Sequence, residues 1–227
     1  LTRMVRELRM ALPNSVRVTG SNQYVEFIPS VGGGRYRALP DATPPPPLPT
    51  PLYPPTQDYL DFANADDSFQ VLGGLVGESS DIAGKYLVIY NASADEDPTV
   101  EANAYHGDNR TQLADPAYTN GILNFISKQF PFPSLDAQRF DIVDQPVSFY
   151  CQGNTLHRAS EYGFDSTQRT SFPSDRTQPL ADAVKDCEFT YDPGDHIRNG
   201  VVSLQLTLER EGESVSLRYQ AQVVNAP

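Results

Sequence analysis

The sequence predicts an α+β domain. Its first residues repeat with helical periodicity, its last residues alternate as two β-strands, and 20 Pro and 15 Gly interrupt the segments between them. A chain of 227 residues is long enough to bury a sizeable core in one domain. We therefore expect a single loop-rich domain over residues 1–227, in which a helix packs on antiparallel sheet.

The N-terminal segment predicts the end of an amphipathic helix. Apolar side chains recur at spacings of three and four, with arginines on the remaining arc. Pro13 cannot donate a backbone hydrogen bond, so we expect the helix to end near Leu12. No capping residue precedes it, and we expect a shortened or processed chain. The predicted docking helix, residues 1–12, has the apolar stripe Leu1, Met4, Val5, Leu8 and Leu12 and the polar arc Arg3, Arg6 and Arg9.

The C-terminal segment predicts a β-hairpin over residues 201–224. Apolar and polar residues alternate from Val202 to Leu208 and again from Val215 to Val223. A Gly-containing turn lies between them, so the two strands pair antiparallel and share one apolar face. An apolar sheet face must pack against another element, and we expect the N-terminal helix to cover this one.

Other strands are expected in the first half of the chain and near its centre. Residues 40–55 contain nine prolines, which exclude helix and central strand. We favour a proline-rich surface loop there over a spacer or a ligand for an aromatic groove. The glycines at 32–34 and 73–74 indicate turns, and residues 91–133 indicate irregular structure. The predicted strands are 16–18, 24–28, 68–72, 86–90, 139–143 and 146–151.

The two cysteines, Cys151 and Cys187, lie 36 positions apart without metal-binding spacing. We favour a disulfide between them, which indicates an oxidising compartment such as a periplasm. Two buried thiols in a cytosolic protein are the alternative. A bond closing a loop of this size is worth about 4 kcal/mol in the chain-entropy account.

No pattern in the sequence predicts catalysis. His106, His157 and His196 lie outside any catalytic motif, and the chain has no nucleophile elbow, zinc-protease motif or phosphate-binding loop. A Cys151–His157 pair would lose its nucleophile to the disulfide. The acidic runs at 66–67 and 95–97 lack calcium-loop spacing and indicate solvated charge. We expect no enzyme activity, no catalytic residue, no metal, no cofactor and no small-molecule substrate.

The charge of the chain bears on its partners. It carries 17 Lys and Arg against 29 Asp and Glu, for a net charge of −12. Such a chain repels phosphate backbones, so nucleic acid is not expected as a partner.

Several segments together resemble type IV minor pilins and pseudopilins, in particular the biogenesis subunits of the mannose-sensitive haemagglutinin (MSHA) pilus. The first, RELRMALPNSVRV at 6–18, is similar to the segment that follows the N-terminal helix in that family. The others, in order, are GGRYR at 33–37, YLDF at 59–62, YLVIYN at 86–91, PVSFYC at 146–151 and RNGVVSL at 198–204.

The resemblance implies a type IV pilin-like domain whose N-terminal helix is truncated. It implies anchoring in the bacterial inner membrane through a missing apolar helix, with a periplasmic domain that later joins the pilus at the cell surface. It also implies noncatalytic action in pilus assembly or priming, with other minor pilins and the major pilin as partners and a position at the filament tip. Two alternatives are an extracellular adhesin module, using tyrosines such as Tyr105 and Tyr118, and a J-type pseudopilin of type II secretion. A secreted hydrolase using Asp192 and Asp195 is the third alternative, although that segment is more simply a turn.

Overall fold

The protein is mostly β. The computed structural model describes residues 2–19, 21–38, 58–76, 82–134, 137–194 and 198–224. Of these residues, 52% lie in strands or bridges and 5% in helix. The predicted α+β, pilin-like class is therefore wrong: seven residues of α-helix accompany fourteen strands in the described part of the chain.

One α-helix, α1 (Thr2–Leu8), opens the described chain, and a short 3₁₀ turn covers Ser174–Arg176. The strands are β1 (Arg17–Val18), β2 (Tyr24–Phe27), β3 (Ser30–Tyr36), β4 (Asp66–Val76), β5 (Tyr86–Val88), β6 (Arg110–Thr119), β7 (Ile122–Lys128), β8 (Arg139–Val143), β9 (Val147–Gln152), β10 (Thr155–Ser160), β11 (Thr177–Ala181), β12 (Val184–Asp192), β13 (Gly200–Arg210) and β14 (Glu213–Val223).

The strands form three sheets. Five make a sheet in the order β1-β2-β9-β10-β11, and three make a sheet in the order β12-β13-β14. The remaining six close into a barrel in the order β3-β4-β7-β6-β5-β8. Because β2 leads directly into β3, and β8 into β9, the barrel and the five-stranded sheet share two short connections.

The two open sheets and α1 share one core. Alternate residues of β13 supply its wall, together with Ala221 and Val223 at the end of β14. The period-two pattern also predicts Val215 on this covered face, but Val215 is exposed. Strand β9 is buried on both faces, because residues 161–172 cover the side opposite this core. The core comprises Met4, Leu8, Ala11, Val16, Val25, Phe27, Val147, Phe149, Cys151, Leu156, Val184, Cys187, Phe189, Val202, Leu204, Leu206, Ala221 and Val223.

The barrel has a separate aromatic core that contains Tyr36, Phe69, Phe125, Phe130 and Phe140. Its packing explains why the glycine prediction at 32–34 is wrong. A Cβ on Gly33 would lie 2.6 Å from the Phe140 carbonyl oxygen, and a Cβ on Gly34 would lie 2.9 Å from the Phe140 ring. These glycines are strand residues that let β3 approach β8, and they do not form a turn.

Two further predictions about this half of the chain are wrong. Gly73 and Gly74 lie inside β4, where their positive φ values of 76° and 88° distort the strand without ending it. Residues 91–133 include β6 and β7, both walls of the barrel. Their pairing shifts register between Leu113 and Tyr118, which breaks the alternation that would reveal a strand.

Several predicted strands are present at nearly the predicted bounds. β8 is identical to the prediction, and β1 and β2 pair as the predicted hairpin. The C-terminal hairpin is confirmed as well, with Glu211 and Gly212 as its two turn residues. The proline-rich loop at 40–55 lies outside the described residues. None of the helices in the described ranges combines the length and apolar character that crossing a bilayer requires.

Candidate docking surface around the N-terminal helix

Helix α1 has one buried side and one exposed side. Met4 and Leu8 are almost fully buried in the shared core, and Val5 is half-buried against it. Arg3, Arg6 and Arg9 are exposed on the opposite arc. The three-four spacing of the sequence places the side chains in this way. Leu1 lies outside the described residues.

The helix ends earlier than the sequence predicts, at Leu8 instead of near Leu12. Residues 9 and 10 continue as a turn, and Ala11 forms an isolated β-bridge with Pro29. The Leu12 N–H donates to the Ile28 carbonyl oxygen at 2.7 Å. Leu12 is buried in a small cluster of its own with Ile28 and Val88, between the shared core and the barrel. Its prediction as part of the docking stripe is therefore wrong. Backbone hydrogen bonds with residues 28–30, where β2 leads into β3, hold this segment out of the helix before Pro13 is reached.

Glu7 fixes the helix to the five-stranded sheet. One of its carboxylate oxygens accepts from Arg3 Nε at 2.7 Å, and the other accepts from Arg158 Nε of β10 at 2.8 Å. The Arg158 side chain is 14% exposed, so this ion pair is less screened than a surface pair. Arg3 is therefore partly engaged within the chain, whereas Arg6 and Arg9 have no ion-pair partner among the described residues.

Two grooves flank the end of the helix. The first, of about 670 Å³, runs between Arg6, Glu7 and the sheet residues Val147 and Arg158. The second, of about 590 Å³, runs along β3. Met10 and Val31 border both grooves. Four exposed apolar side chains line the second groove, namely Met10 (54% exposed), Val31 (40%), Val76 (71%) and Val224 (48%). This concentration is typical of an interaction surface.

The disulfide joins two strands of the shared core. Cys151 of β9 and Cys187 of β12 are joined, and both are buried in the shared core. The bond connects the five-stranded sheet to the three-stranded sheet. The predicted disulfide is thus present in the structure, and it accounts for both cysteines of the sequence.

A buried charge network lies on the face of β2 opposite the shared core. Arg17 Nε donates to Glu26 Oε2 at 2.5 Å, and the Tyr162 hydroxyl donates to Glu26 Oε1 at 2.7 Å. The other Arg17 nitrogens donate to the carbonyl oxygens of Asp165 and Ser166. Burial raises the pKa of Glu26, although Arg17 and Tyr162 oppose that shift. Every polar group named here has a hydrogen-bond partner, so the network holds residues 161–168 against β1 and β2.

The other candidate residues do not come together. Tyr105 is buried, and its hydroxyl donates to the Ser15 carbonyl oxygen, so it cannot stack on a ligand. Tyr118 packs against the barrel core. His157 stacks on Tyr150 and lies on the strand that follows Cys151, whose sulfur is in the disulfide. His196 and Asp195 lie outside the described residues.

The acidic run at 95–97 forms local turns, whereas Asp66 and Asp67 are the first residues of β4. Asp97 accepts from the backbone N–H and hydroxyl of Thr99, which lowers its pKa. Asp192 Oδ1 accepts from the Gly194 N–H, as expected of a turn. Within the described ranges, no three His, Cys, Asp or Glu side chains are grouped for a metal ion.

Sequence reasoning missed much of the surface. Val31, Val76, Val224 and Arg158 come from four separate segments, and no local pattern joins them. Met10 could have indicated an interaction surface from sequence alone, because it is an apolar residue outside the apolar stripe of the helix. Comparison with protein-family models, with curated proteins and with solved structures finds no match.

Proposed function

We propose that the protein is a noncatalytic subunit of a type IV pilus of the MSHA type, similar to MshO, that acts in pilus assembly or priming. Its partners are other minor pilins and the major pilin, and its place of action is the periplasm and then the filament, including its tip. The proposal does not depend on an α+β fold. It combines the resemblance of six sequence segments with the exposure pattern of α1.

The observation that carries the proposal is the two-sided burial of α1. Met4 and Leu8 attach the helix to the core, while Arg6 and Arg9 project away from it without an ion-pair partner among the described residues. A helix held in this way presents basic side chains to a neighbouring subunit. In the proposal an apolar helix continues α1 upstream of Leu1 and anchors the subunit in the inner membrane.

The disulfide supports the compartment in this proposal. Cys151 and Cys187 are buried and bonded between two sheets, and disulfides of this kind persist in oxidising compartments. The adhesin alternative loses one of its two tyrosines, because Tyr105 is buried. A J-type pseudopilin of type II secretion would use α1 in the same way, and the partners recovered in the experiment below distinguish the two.

The test is copurification of partner subunits with the full-length protein from its membrane. We expect the double charge reversal Arg6→Glu with Arg9→Glu to reduce the recovered minor pilins at least roughly tenfold, because like charge replaces opposite charge at the contact. Recovery with the native protein should also fall between about 0.1 M and about 1 M salt, over which the Debye length shrinks from about 10 Å to about 3 Å.

The matched control is Lys185→Glu with Arg210→Glu. These side chains are 58% and 70% exposed and lie near the turn end of the three-stranded sheet, opposite the end with Ala221 and Val223. The control changes the net charge equally and should leave recovery unchanged. Equal recovery with both double variants, or recovery of no pilin with the native protein, would contradict the proposal.

A further inference from the structure

Among the described residues, the strand β14 forms an unprotected sheet edge. It is eleven residues long, and in that part of the chain β13 is the only strand that pairs with it. No backbone hydrogen bond among the described residues reaches β14 from any other strand. Residues 213–216 are exposed on both faces of the strand, and Val215 is 58% exposed. A long exposed edge of this kind is a template for another strand.

The other sheet edges of the described chain are protected. β1 is two residues long, and β11 contains Pro179, which has no N–H to donate. The outer edge of β12 is occupied, because the Phe189 N–H donates to the Asn22 carbonyl oxygen and the Val184 N–H to the Asn154 carbonyl oxygen. The barrel is closed. β14 has no proline and a continuous register with β13, so its exposure is a specific feature of this strand.

The register identifies which backbone groups of β14 point outward. Glu211 and Gly212 form a two-residue turn with positive φ, so Arg210 and Glu213 are the first hydrogen-bonded pair. Hydrogen-bonded and non-hydrogen-bonded pairs then alternate along the ribbon. The odd-numbered residues of β14 therefore bond to β13. The outward N–H and C=O groups of the exposed part belong to Ser214, Ser216 and Arg218.

These groups match a second copy of the same edge. An antiparallel pairing centred on Ser216 places Ser216 opposite its own copy, Val215 opposite Leu217 of the copy, and Ser214 opposite Arg218 of the copy. No like charges face each other, apolar residues meet apolar residues, and the outward groups pair as hydrogen-bonded partners. The hairpin end also carries little net charge. Two arginines, Arg210 and Arg218, stand against Glu211 and Glu213, and Glu209 is paired with Lys185.

We propose that β14 pairs antiparallel with β14 of a second copy, so that two three-stranded sheets join into one six-stranded sheet across a twofold axis. Such an isologous contact is closed and does not propagate. The core that α1 shares with β14 includes Ala221 and Val223 at the far end of the strand and none of residues 213–218. The inference stands on the sheet edge alone and is independent of the pilus proposal.

The test is a single-cysteine cross-link in the intact 227-residue chain, which has no other thiol, because both native cysteines are in the disulfide. In the proposed register the two Ser216 Cα atoms lie about 5.5 Å apart, within disulfide reach. We expect Ser216→Cys to form a covalent dimer under mild oxidation. Ser214→Cys, two residues away on the same exposed edge, should stay monomeric, because its partner is Arg218. A monomeric Ser216→Cys, or equal cross-linking of both variants, would overturn the proposal.

Sedimentation of the protein without new cysteines gives an independent readout. The native chain should show a monomer–dimer equilibrium, and Ser216→Lys should weaken it at least roughly tenfold by opposing two like charges. Gln222→Lys is the control, with the same charge change on the same strand outside the paired segment, and it should dimerise like the native chain. A native chain that stays monomeric, including one that binds only a strand of a different protein, would refute the second copy as the occupant.

Discussion

Glu26 is fully buried, and its neighbours determine the protonation of its carboxylate. Burial raises its pKa, while the Arg17 guanidinium and the Tyr162 hydroxyl favour the charged form. Replacing Arg17 would leave the buried Glu26 carboxylate without its ion-pair partner. The free-energy cost of that unpaired charge is larger than the net stabilisation by the ion pair. The hydrogen-bond network that holds residues 161–168 thus depends on a carboxyl group that is less acidic in the folded protein than in the unfolded chain.

We predict a pH-dependent contribution of Glu26 to stability. Because the folded pKa is above the unfolded value near 4.5, the native state holds a proton that the unfolded chain releases. The contribution is fully present below the unfolded pKa and is lost as pH rises through the folded pKa. The free energy of unfolding of the native protein, minus that of Glu26→Gln, should therefore fall with rising pH above about 4.5. Urea titrations across this range measure it.

Tyr162→Phe provides a second arm of the same experiment. The hydrogen bond from the Tyr162 hydroxyl lowers the pKa of Glu26, so its removal should raise that pKa further. The loss of stability should then extend to higher pH. A difference that rises with pH, or one unaffected by Tyr162→Phe, would contradict this account of the network.

At the scale of an element, α1 is too short to be stable by itself. A seven-residue helix is well below the length at which isolated helices persist in water, so its packing holds it in place. Met4 and Leu8 supply the apolar contacts, and the Glu7–Arg158 ion pair fixes the helix to β10. The exposed arc is therefore presented in a fixed orientation, as a docking element requires.

We predict that Met4→Ala costs about 2–5 kcal/mol of unfolding free energy, because Met4 is 1% exposed in the shared core. Met10→Ala makes the same chemical change six residues later, at a site that is 54% exposed, and should change the unfolding free energy by at most about 0.5 kcal/mol. Equilibrium denaturation of both variants measures the difference. Equal effects would show that α1 is not held by its apolar stripe.

At the scale of the whole molecule, one covalent bond crosses between two sheets. Cys151 and Cys187 lie in the same core as Phe149, Phe189 and Leu206, so the bond links strands that already pack together. It restricts the unfolded chain over a separation of 36 residues. That restriction is the larger part of its effect in the chain-entropy account.

We predict that Cys151→Ser with Cys187→Ser lowers the unfolding free energy by about 4 kcal/mol, the value for a loop of this length. Nonreducing peptide mass spectrometry of protein recovered from its native compartment should find the Cys151–Cys187 pair. Reductant should lower the stability of the native protein but not that of the double variant. Two alkylatable thiols in the recovered protein would contradict the oxidising compartment.

Periodicity in the sequence was sufficient for the elements that have one wet face. The C-terminal hairpin and the two-sided α1 follow from alternation and three-four spacing. The β1–β2 hairpin and β8, which are buried on both faces in part, follow from β-rich composition instead. The number and spacing of the cysteines favoured the disulfide, and two buried thiols remained the alternative until the structure showed the bond. Residues that are close in sequence determine which face of a helix or strand is apolar, so a local pattern is enough to predict such an element.

The tertiary structure alone decided the class of the fold and the docking surface. The barrel needs Gly33 and Gly34 for the approach of β3 to β8, and β6 contains a register shift that hides its alternation. Met10, Val31, Val76 and Val224 meet only because the fold brings together the turn after α1, two barrel strands and the end of β14. Contacts between residues far apart in sequence leave no local period, so only the folded chain reveals them.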